Sequence, residues 1–472
     1  MREMRPASPF FLVLHYRNQH TMKQSNKILR FLFAVIIVSQ ISLPVYAWSE
    51  HPLLVRPALK TFINWEQQEP VAAISLQAFL LEVEHELEQF LREQETWSRA
   101  NLPNYAPRPD ELAFKATGNP DDILERFFMA IRVNPNIKVP LYLHLLPNDD
   151  PGNRPLADPA GITTLSNIGS MQHTTYVWLA EGELVSAFDV LTTANDEPDY
   201  GFDLGLFEDN HTEYGQVYGF GAQPFGNPNL EYSSQAPFHM AFYHESWILY
   251  KAGPFLKHTF LDYRINLYKM LSEFAFAQNQ PYWGWRFMGW GMHYVGDVSM
   301  PYHSKPLPGV STLRMLWINL KAILGFPQSR DNAVQLVSNK HAVYEEFQVQ
   351  VLRMAHVQNN WQHPFIHALM NPKDLIPFSG DFIVEVAARE SVARSGPVDR
   401  ALKKYMPAHM VSDPSVEVSD LPELNSIAQL VEAEMGKEAY DQLVEVIAER
   451  MESYSMHIRS FLLNILEKAE GS

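Results

Sequence analysis

The run at residues 282–304, which reads YWGWRFMGWGMHYVGDVSMPYHS, constrains the fold more than any other stretch. His293 and Asp297 are four residues apart, and a helix places residues at that spacing on one face, one turn apart. Pro301 is expected to end the helix, so that His303 follows after the chain has left it. An imidazole and a carboxylate on one face can reach the same cation, so this is a candidate metal-binding pattern.

A second pair, His341 and Glu345, repeats the four-residue spacing in NKHAVYEEF. A single pair of this kind is weak evidence, because surface helices carry salt-bridged or capped histidines by chance. The combination H-x3-D-x5-H followed by H-x3-E is far more specific. Imidazole and carboxylate ligands in such clusters suit zinc.

Composition sets the broad class of the protein. The 472 residues, 46% of them hydrophobic, suffice for one large or two ordinary domains. Cysteine is absent, so disulfides and thiolate metal sites are excluded. The net charge of -17 disfavours a nucleic-acid partner but does not forbid one, since bound zinc would add positive charge.

The N-terminus has the pattern of a secretory signal. An apolar run at residues 31–47 ends in Val-Tyr-Ala, and three basic residues precede it. Cleavage after Ala47 predicts a secreted or periplasmic protein. A membrane-spanning helix is less favoured, because the run is short and contains polar residues. Met22 opens a signal of ordinary length, so residues 1–21 need not be translated.

Hydrophobic periodicity predicts a mainly α-helical protein with few short strands. Pro52 fits the first turn of a helix. Residues 101–165 are rich in Pro, Asn and Asp and are expected to form a surface insertion. The predicted helices lie near residues 75–95, 120–132, 180–194, 238–280, 312–326, 341–357, 380–405 and 423–468.

Several common catalytic motifs are missing from the sequence. It contains no G-x-S-x-G, no P-loop and no G-x-G-x-x-G, so a serine hydrolase elbow and a nucleotide-binding loop are unsupported. His244 and Glu245 begin like the H-E-x-x-H motif, but Ile248 stands where the second histidine should be. A zincin protease is therefore disfavoured.

The five residues His293, Asp297, His303, His341 and Glu345 resemble the metal ligands of the bacterial zinc-dependent phospholipase C family, whose superfamily includes fungal single-strand nucleases. The resemblance is firm over residues 282–345. It implies an α-helical fold that holds three zinc ions. It also implies a hydrolase domain over 48–357 with an insertion at 62–165, followed by a C-terminal helical region at 358–472.

The resemblance extends to the mature N-terminus. Members of this family chelate zinc through the amino nitrogen and carbonyl oxygen of an N-terminal tryptophan, and Trp48 follows the predicted cleavage site directly. His51 resembles the family's first histidine, although its spacing from Trp48 is shorter. Read alone, Trp48 is compatible with a simple buried aromatic residue.

An aspartate and a histidine of the family precede the central motif. Asp196 resembles that aspartate best, with Asp199 as the alternative, and His239 resembles the histidine best, with His244 as the alternative. Without the resemblance, Asp196 is a turn residue and His239 a core histidine. The implied ligand sets are Asp196, His239, His293 and Asp297 for one ion, Trp48, His51 and the bridging Asp297 for a second, and His303, His341 and Glu345 for a third.

The implied reaction is zinc-dependent hydrolysis of a phosphoric ester, with Asp196 as candidate general base. We expect a phospholipase C that acts on phospholipid head groups, as a monomer in transient contact with the membrane surface. Aromatic residues at 282–290 and 242–250 could bind choline or stack a nucleobase, but most are expected in the core. The alternatives are a single-strand nuclease or nucleotidase, and a non-enzymatic binding protein that zinc stabilises.

Overall fold

The computed structural model describes residues 50–226 and 231–470. The predicted signal and Trp48 lie outside these ranges. The described protein is mainly helical, which confirms the predicted class. Within these ranges no helix is both long and apolar enough to cross a bilayer.

The α-helices are α1 Pro52–Lys60, α2 Leu76–Glu82, α3 Glu84–Asn101, α4 Ile123–Ile131, α5 Ala187–Ala194, α6 Glu213–Val217, α7 Glu231–Ser234, α8 Ala236–His239, α9 Trp247–Ala252, α10 Leu261–Ala277, α11 Pro281–Val298, α12 Pro301–Ser304, α13 Thr312–Ile323, α14 Gln328–Val357, α15 Pro364–Met370, α16 Arg389–Tyr405, α17 Ala408–Ser412, α18 Ile427–Met435 and α19 Lys437–Glu470. Short 3-10 helices lie at Trp65–Gln67, Asp110–Leu112, Pro159–Gly161, Gly169–His173, Glu197–Tyr200, Pro254–Lys257, Val418–Asp420 and Pro422–Ser426, and a π-helix at Ile383–Ala388.

Four short strands form two antiparallel pairs. The strands are β1 Val71–Ala72, β2 Tyr142–Leu145, β3 Thr175–Trp178 and β4 Leu184–Val185. β1 pairs with β4, and β2 pairs with β3 with Leu143 opposite Val177. The second pair brings the insertion segment next to the helix α5 that precedes the candidate site.

Helix α11 is the centre of the fold, and its residues from Tyr282 to Val298 are all buried. It packs against α5, α10 and α19. Two of its glycines explain the close approach of these neighbours. A Cβ at Gly289 would lie 2.7 Å from the Cβ of Ala194 on α5, and one at Gly296 would lie 2.6 Å from the ring of Tyr454 on α19. The Gly- and Trp-rich run therefore encodes a helix packed on several sides at short distance.

The segments before and after the central helices belong to the same core. Phe127 of α4 and Leu143 of β2 lie buried in the main hydrophobic cluster, as do Tyr454 and Phe461 of α19. This differs from the prediction that residues 101–165 form a surface insertion. Pro and Asn in that segment mark turns between buried elements, because turn residues alternate there with apolar side chains that reach the core.

Several predictions about the helices need correction. The prediction near 180–194 becomes β4 followed by a shorter α5. The prediction at 341–357 covers only the second half of α14, which begins at Gln328. His303 does not follow the helical region as expected but lies on the one-turn helix α12, because Pro301 occupies a first-turn position, where proline's missing N–H costs nothing.

Candidate metal centre

The candidate ligands come from separate elements that meet beside α11. Helix α11 supplies His293 and Asp297, and α14 supplies His341 and Glu345. Single residues come from short elements around them, namely His303 of α12, His239 of α8, Asp199 of the 3-10 helix Glu197–Tyr200, and His51 at the start of α1.

The 3-10 helix that carries Asp199 is anchored to α11. Arg286 of α11 forms a buried ion pair with Glu197, with 2.6 Å between its Nη2 and Oε1. Just before this turn, the side chain of Asn195 donates to the carbonyl of Gly289 at 3.0 Å. These contacts fix Asp199 relative to His293, although nearly a hundred residues separate them in sequence.

We call Asp199, His239, His293 and Asp297 the central group. His239 Nδ1 lies 2.9 Å from Asp297 Oδ2 and 3.3 Å from His293 Nε2. Asp199 Oδ1 lies 3.6 Å from His293 Nε2 and 3.8 Å from His239 Nδ1. A tetrahedral zinc ion with bonds of about 2.0–2.1 Å spaces its ligand atoms about 3.3–3.4 Å apart, so these atoms fit one ion.

The amino-terminal group contains His51, His293 and Asp297. His51 Nε2 lies 3.9 Å from Asp297 Oδ1 and 3.8 Å from Asp199 Oδ2. Asp297 therefore turns one oxygen to the central group and the other to His51, the arrangement of a bridging carboxylate. The predicted partner Trp48 lies outside the described residues.

The distal group contains His303, His341 and Glu345, as the sequence predicts. The two Nε2 atoms lie 3.2 Å apart. Glu345 Oε1 lies 2.8 Å from His341 Nε2 and 3.5 Å from His303 Nε2. Three ligand atoms thus point at a common position, and the other oxygen of Glu345 remains available.

Unpaired buried atoms test whether these residues fit metal ions. Both ring nitrogens of His51, Oδ1 of Asp199, Oδ1 of Asp297 and Oε2 of Glu345 are buried with no hydrogen-bond partner. An unpaired polar atom in the interior normally costs free energy. Such atoms also occur away from the three groups, as at Gln348, but in these residues a bound cation would satisfy the carboxylate oxygens and one ring nitrogen of His51. The three groups can hold metal ions.

Neighbouring acceptors orient the histidines. His293 Nδ1 donates to the carbonyl of Asn195 at 2.8 Å, and His303 Nδ1 donates to the carbonyl of His239 at 2.9 Å. A carbonyl only accepts, so Nδ1 carries the proton and the Nε2 lone pair faces the metal position. His239 Nε2 lies 3.3 Å from Asp203 Oδ2. This places a carboxylate behind a ligand histidine, as is usual at metal sites.

Asp203 is itself held by two buried side chains. Its Oδ1 pairs with Arg264 Nη2 at 2.6 Å, and its Oδ2 accepts a hydrogen bond from the Tyr294 hydroxyl at 2.6 Å. These contacts lower the pKa of Asp203 despite its burial, which would raise it. Asp203 is therefore an ionised acceptor that orients His239 from behind.

Burial controls the pKa values of several candidate ligands. It lowers the pKa of His341 to about 3 and holds the pKa of His293 well below its usual range, so both rings are neutral. Burial alone would also lower the pKa of His239, but hydrogen bonding to Asp203 and Asp297 raises it to about 10. Burial raises the pKa of Glu345 to about 8. A bound cation would reverse that last shift by stabilising the carboxylate.

A polar cleft of about 310 Å³ opens onto the centre. Asp199 and Glu345 reach it from the central and distal groups, and Asp199 keeps 19% of its side chain exposed there. Glu50, Asp196 and Glu346 add further carboxyl groups to the lining, while Arg353 pairs with Glu50. The central and distal groups therefore reach a cleft of mainly acidic character through Asp199 and Glu345.

Two of the alternatives left open by the sequence can be compared directly. Asp199, rather than Asp196, joins His239 and His293. Asp196 Oδ1 instead accepts from the His51 backbone N–H at 3.0 Å, and its Oδ2 accepts from the Tyr200 hydroxyl at 2.6 Å. Because both oxygens are already bonded, Asp196 positions the chain at His51. His244 hydrogen-bonds the Val384 carbonyl through Nε2, so His239 is the histidine at the centre.

Sequence reasoning missed the residues behind the ligands. Asp203 and the Asn195 carbonyl orient histidines, and His144 of β2 lies 3.6 Å from Asp196. None of these residues shares a sequence motif with the candidate ligand that it contacts. The only available signal was Asp203 in a loop-rich stretch close to Asp199.

Most of the aromatic residues that were considered for head-group binding lie in the core, as expected. Trp283, Phe287 and Trp290 are fully buried on α11. Comparison of the chain with family models, with curated proteins and with solved structures finds no match. The metal groups and the cleft are thus the features on which function can be argued.

Proposed function

We propose that the protein is a secreted zinc-dependent phosphoric ester hydrolase of the phospholipase C type, which acts on phospholipid head groups. The observation that carries this proposal is the set of three ligand groups, two of which share His293 and Asp297, with Asp199 and Glu345 of the central and distal groups lining one cleft. A purely structural zinc site is closed by protein ligands, whereas a catalytic site keeps an open position. The cleft at Asp199 and Glu345 supports the catalytic alternative over a zinc-stabilised binding protein.

Zinc ions at such a centre activate water and neutralise negative charge on phosphoryl oxygens. The side chains supply orientation and proton acceptance. Asp199 is the better candidate base, because it reaches the cleft with 19% of its side chain exposed, whereas both oxygens of Asp196 already accept hydrogen bonds. The role of general base, which the resemblance suggested for Asp196, is therefore assigned in this proposal to Asp199.

The lining of the cleft favours a substrate with a cationic head group. Glu50 and Glu346 lie at the cleft in addition to the candidate ligands, and Arg353 is neutralised by Glu50. Carboxylates attract a quaternary ammonium or an amine and repel the successive phosphates of a nucleic-acid strand. A zwitterionic phospholipid therefore fits the cleft better than single-stranded DNA.

Hydrolysis of p-nitrophenyl phosphorylcholine tests the reaction without a membrane. The purified chain starting at Trp48 should hydrolyse this soluble ester, lose activity on exhaustive chelation and regain it with zinc. Elemental analysis should find three zinc ions per chain. Activity that survives with no bound metal would contradict the proposal, and so would three bound zinc ions without hydrolysis of any phosphoric ester.

A parallel assay with single-stranded DNA separates the two substrate classes. We expect the choline ester to be cleaved and the DNA to be cleaved far more slowly under the same zinc and salt conditions. Preferential cleavage of DNA would instead establish the nuclease alternative.

A further inference from the structure

The outward face of α13 is apolar and open to solvent. Leu313, Trp317, Leu320 and Leu324 recur at intervals of four, three and four residues, so they form one stripe along the helix and its end. Their side chains are 80%, 56%, 44% and 65% exposed. Phe326, just past the helix, is 69% exposed. A contiguous apolar stripe of this kind marks an interaction surface, whereas scattered apolar residues do not.

The opposite face of α13 is apolar as well. Met315 and Ile318 are buried at 4% and 5% exposure and face the protein. A surface helix normally turns its polar face outward. The outward stripe is therefore not explained by packing within the described protein.

An apolar cavity of about 320 Å³ lies beneath this helix. Helix α13 forms one wall, and Leu249 of α9 and Leu256 of the following 3-10 helix lie on the other side. The cavity also reaches Tyr302 and His341, whose rings stack with centroids 5.4 Å apart. The exposed surface is thus connected by apolar side chains to the distal ligand group.

The charge on α13 is opposite to that of the chain. The whole sequence has 54 acidic and 37 basic residues, whereas α13 carries two basic residues and no acidic one. The nearby Lys305 and Arg330 are paired with Glu245 and Asp331. Residues 246–261, which include α9, contain two lysines and no acidic residue. Arg314 and Lys321 are seven residues apart and therefore lie together on one flank of the stripe. Neither forms an ion pair with any residue that the structure describes.

We propose that the outward face of α13 is a docking surface for an anionic phospholipid bilayer. An exposed Trp and several Leu beside basic residues are the composition of helices that lie in the membrane interface. A second copy of the chain fits less well, because a two-fold interface would bring Arg314 and Lys321 of one copy close to their equivalents in the other. The proposal deepens the phospholipase function and rests on it for its biological meaning.

Vesicle flotation tests docking independently of catalysis. The purified chain is mixed with phosphatidylcholine vesicles that contain 30% phosphatidylglycerol or none, at low and high salt, and bound protein is measured. We expect binding to the anionic vesicles that weakens with salt. Vesicle binding without hydrolysis of any phosphoric ester would leave docking standing while the proposed function fails, and hydrolysis of the soluble ester without vesicle binding would overturn docking alone.

Leu313→Glu and Leu156→Glu form a matched pair, because Leu156 is a similarly exposed leucine (70%) far from α13 in sequence. Leu313→Glu should lower vesicle affinity at least about tenfold, while Leu156→Glu leaves it unchanged. Both variants should hydrolyse the soluble ester at the wild-type rate. Equal vesicle affinity of the two variants would overturn the proposal.

Two further variants, Arg314→Gln and Lys321→Gln, test the electrostatic contribution to vesicle binding. Each should lower affinity for the anionic vesicles by about fivefold and leave binding to neutral vesicles unchanged. Sedimentation of the free protein tests the alternative that a second copy of the chain binds this surface. A dimer that Leu313→Glu dissociates, together with no vesicle binding by the wild-type chain, would assign the surface to a second copy instead.

Discussion

Helix α14 borders two cavities that have nearly equal volumes, about 310 and about 320 Å³, but opposite linings. Glu345 faces the polar cleft, which collects carboxyl groups. His341, one turn earlier, borders the apolar cavity under α13. The distal ligand group thus stands between a space suited to a charged head group and a space suited to hydrocarbon. A substrate with both parts, such as a phospholipid, matches this division.

The largest expected effect comes from Asp297, which the central and amino-terminal groups share. Asp297→Asn should remove metal from the central and amino-terminal groups together, because each oxygen of Asp297 faces a different group. We expect at least about a 100-fold loss of ester hydrolysis. Zinc per chain, measured by elemental analysis, should fall further than in His303→Ala, which affects the distal group. Equal zinc losses in the two variants would contradict a bridging role.

A smaller loss is expected when the N-terminus is extended. A chain with Gly-Ser before Trp48 should bind one zinc ion fewer, because a peptide nitrogen is a poor ligand and only a free α-amino group can take part. An α-amino group with a pKa near ~8 releases its proton to metal at neutral pH. The control is the chain that starts at Trp48. Unchanged zinc content and rate in the extended chain would exclude Trp48 as a ligand.

The candidate ligands differ in how far the sequence could predict them. His293 with Asp297, and His341 with Glu345, are local pairs on single helices, so their spacing alone predicts their shared direction. The choice between Asp196 and Asp199 was not decidable from sequence. It depends on the turn that Glu197 and Arg286 fix across a distance of nearly ninety residues.

The fold was predictable to a similar extent. Periodicity found the long amphipathic helices, including the region of α13. It failed where chain composition and tertiary environment disagree, as at 101–165, whose turn-rich sequence nevertheless supplies Phe127 and Leu143 to the core. The two cavities themselves could not be foreseen, because their linings combine segments that are distant in sequence.

Substitution of Asp203, which lies behind His239, should have a moderate effect on zinc binding. Asp203→Asn should weaken zinc binding by about 10- to 100-fold, because Asp203 orients His239 and sets its protonated nitrogen. Asp399→Asn is a suitable control, since Asp399 is a buried carboxylate paired with Lys340 outside the three groups. Zinc titration with a competing chelator measures both affinities. Equal weakening in both variants would mean that Asp203 acts only through general stability.

The smallest effect on the metal centre is expected from a substitution in the lining of the apolar cavity. Ile318→Ala removes a buried side chain from its lining, and the free energy of unfolding should fall by about 2–3 kcal/mol, since the enlarged cavity loses contacts. Asn425→Ala, at the exposed rim of the polar cleft, should change it by less than about 0.5 kcal/mol. Both variants should keep the full zinc content. Denaturant unfolding and elemental analysis measure the two quantities. Loss of zinc from Ile318→Ala would show that the apolar cavity supports the distal ligands, so that the two cavities act as one site and not as two with separate roles.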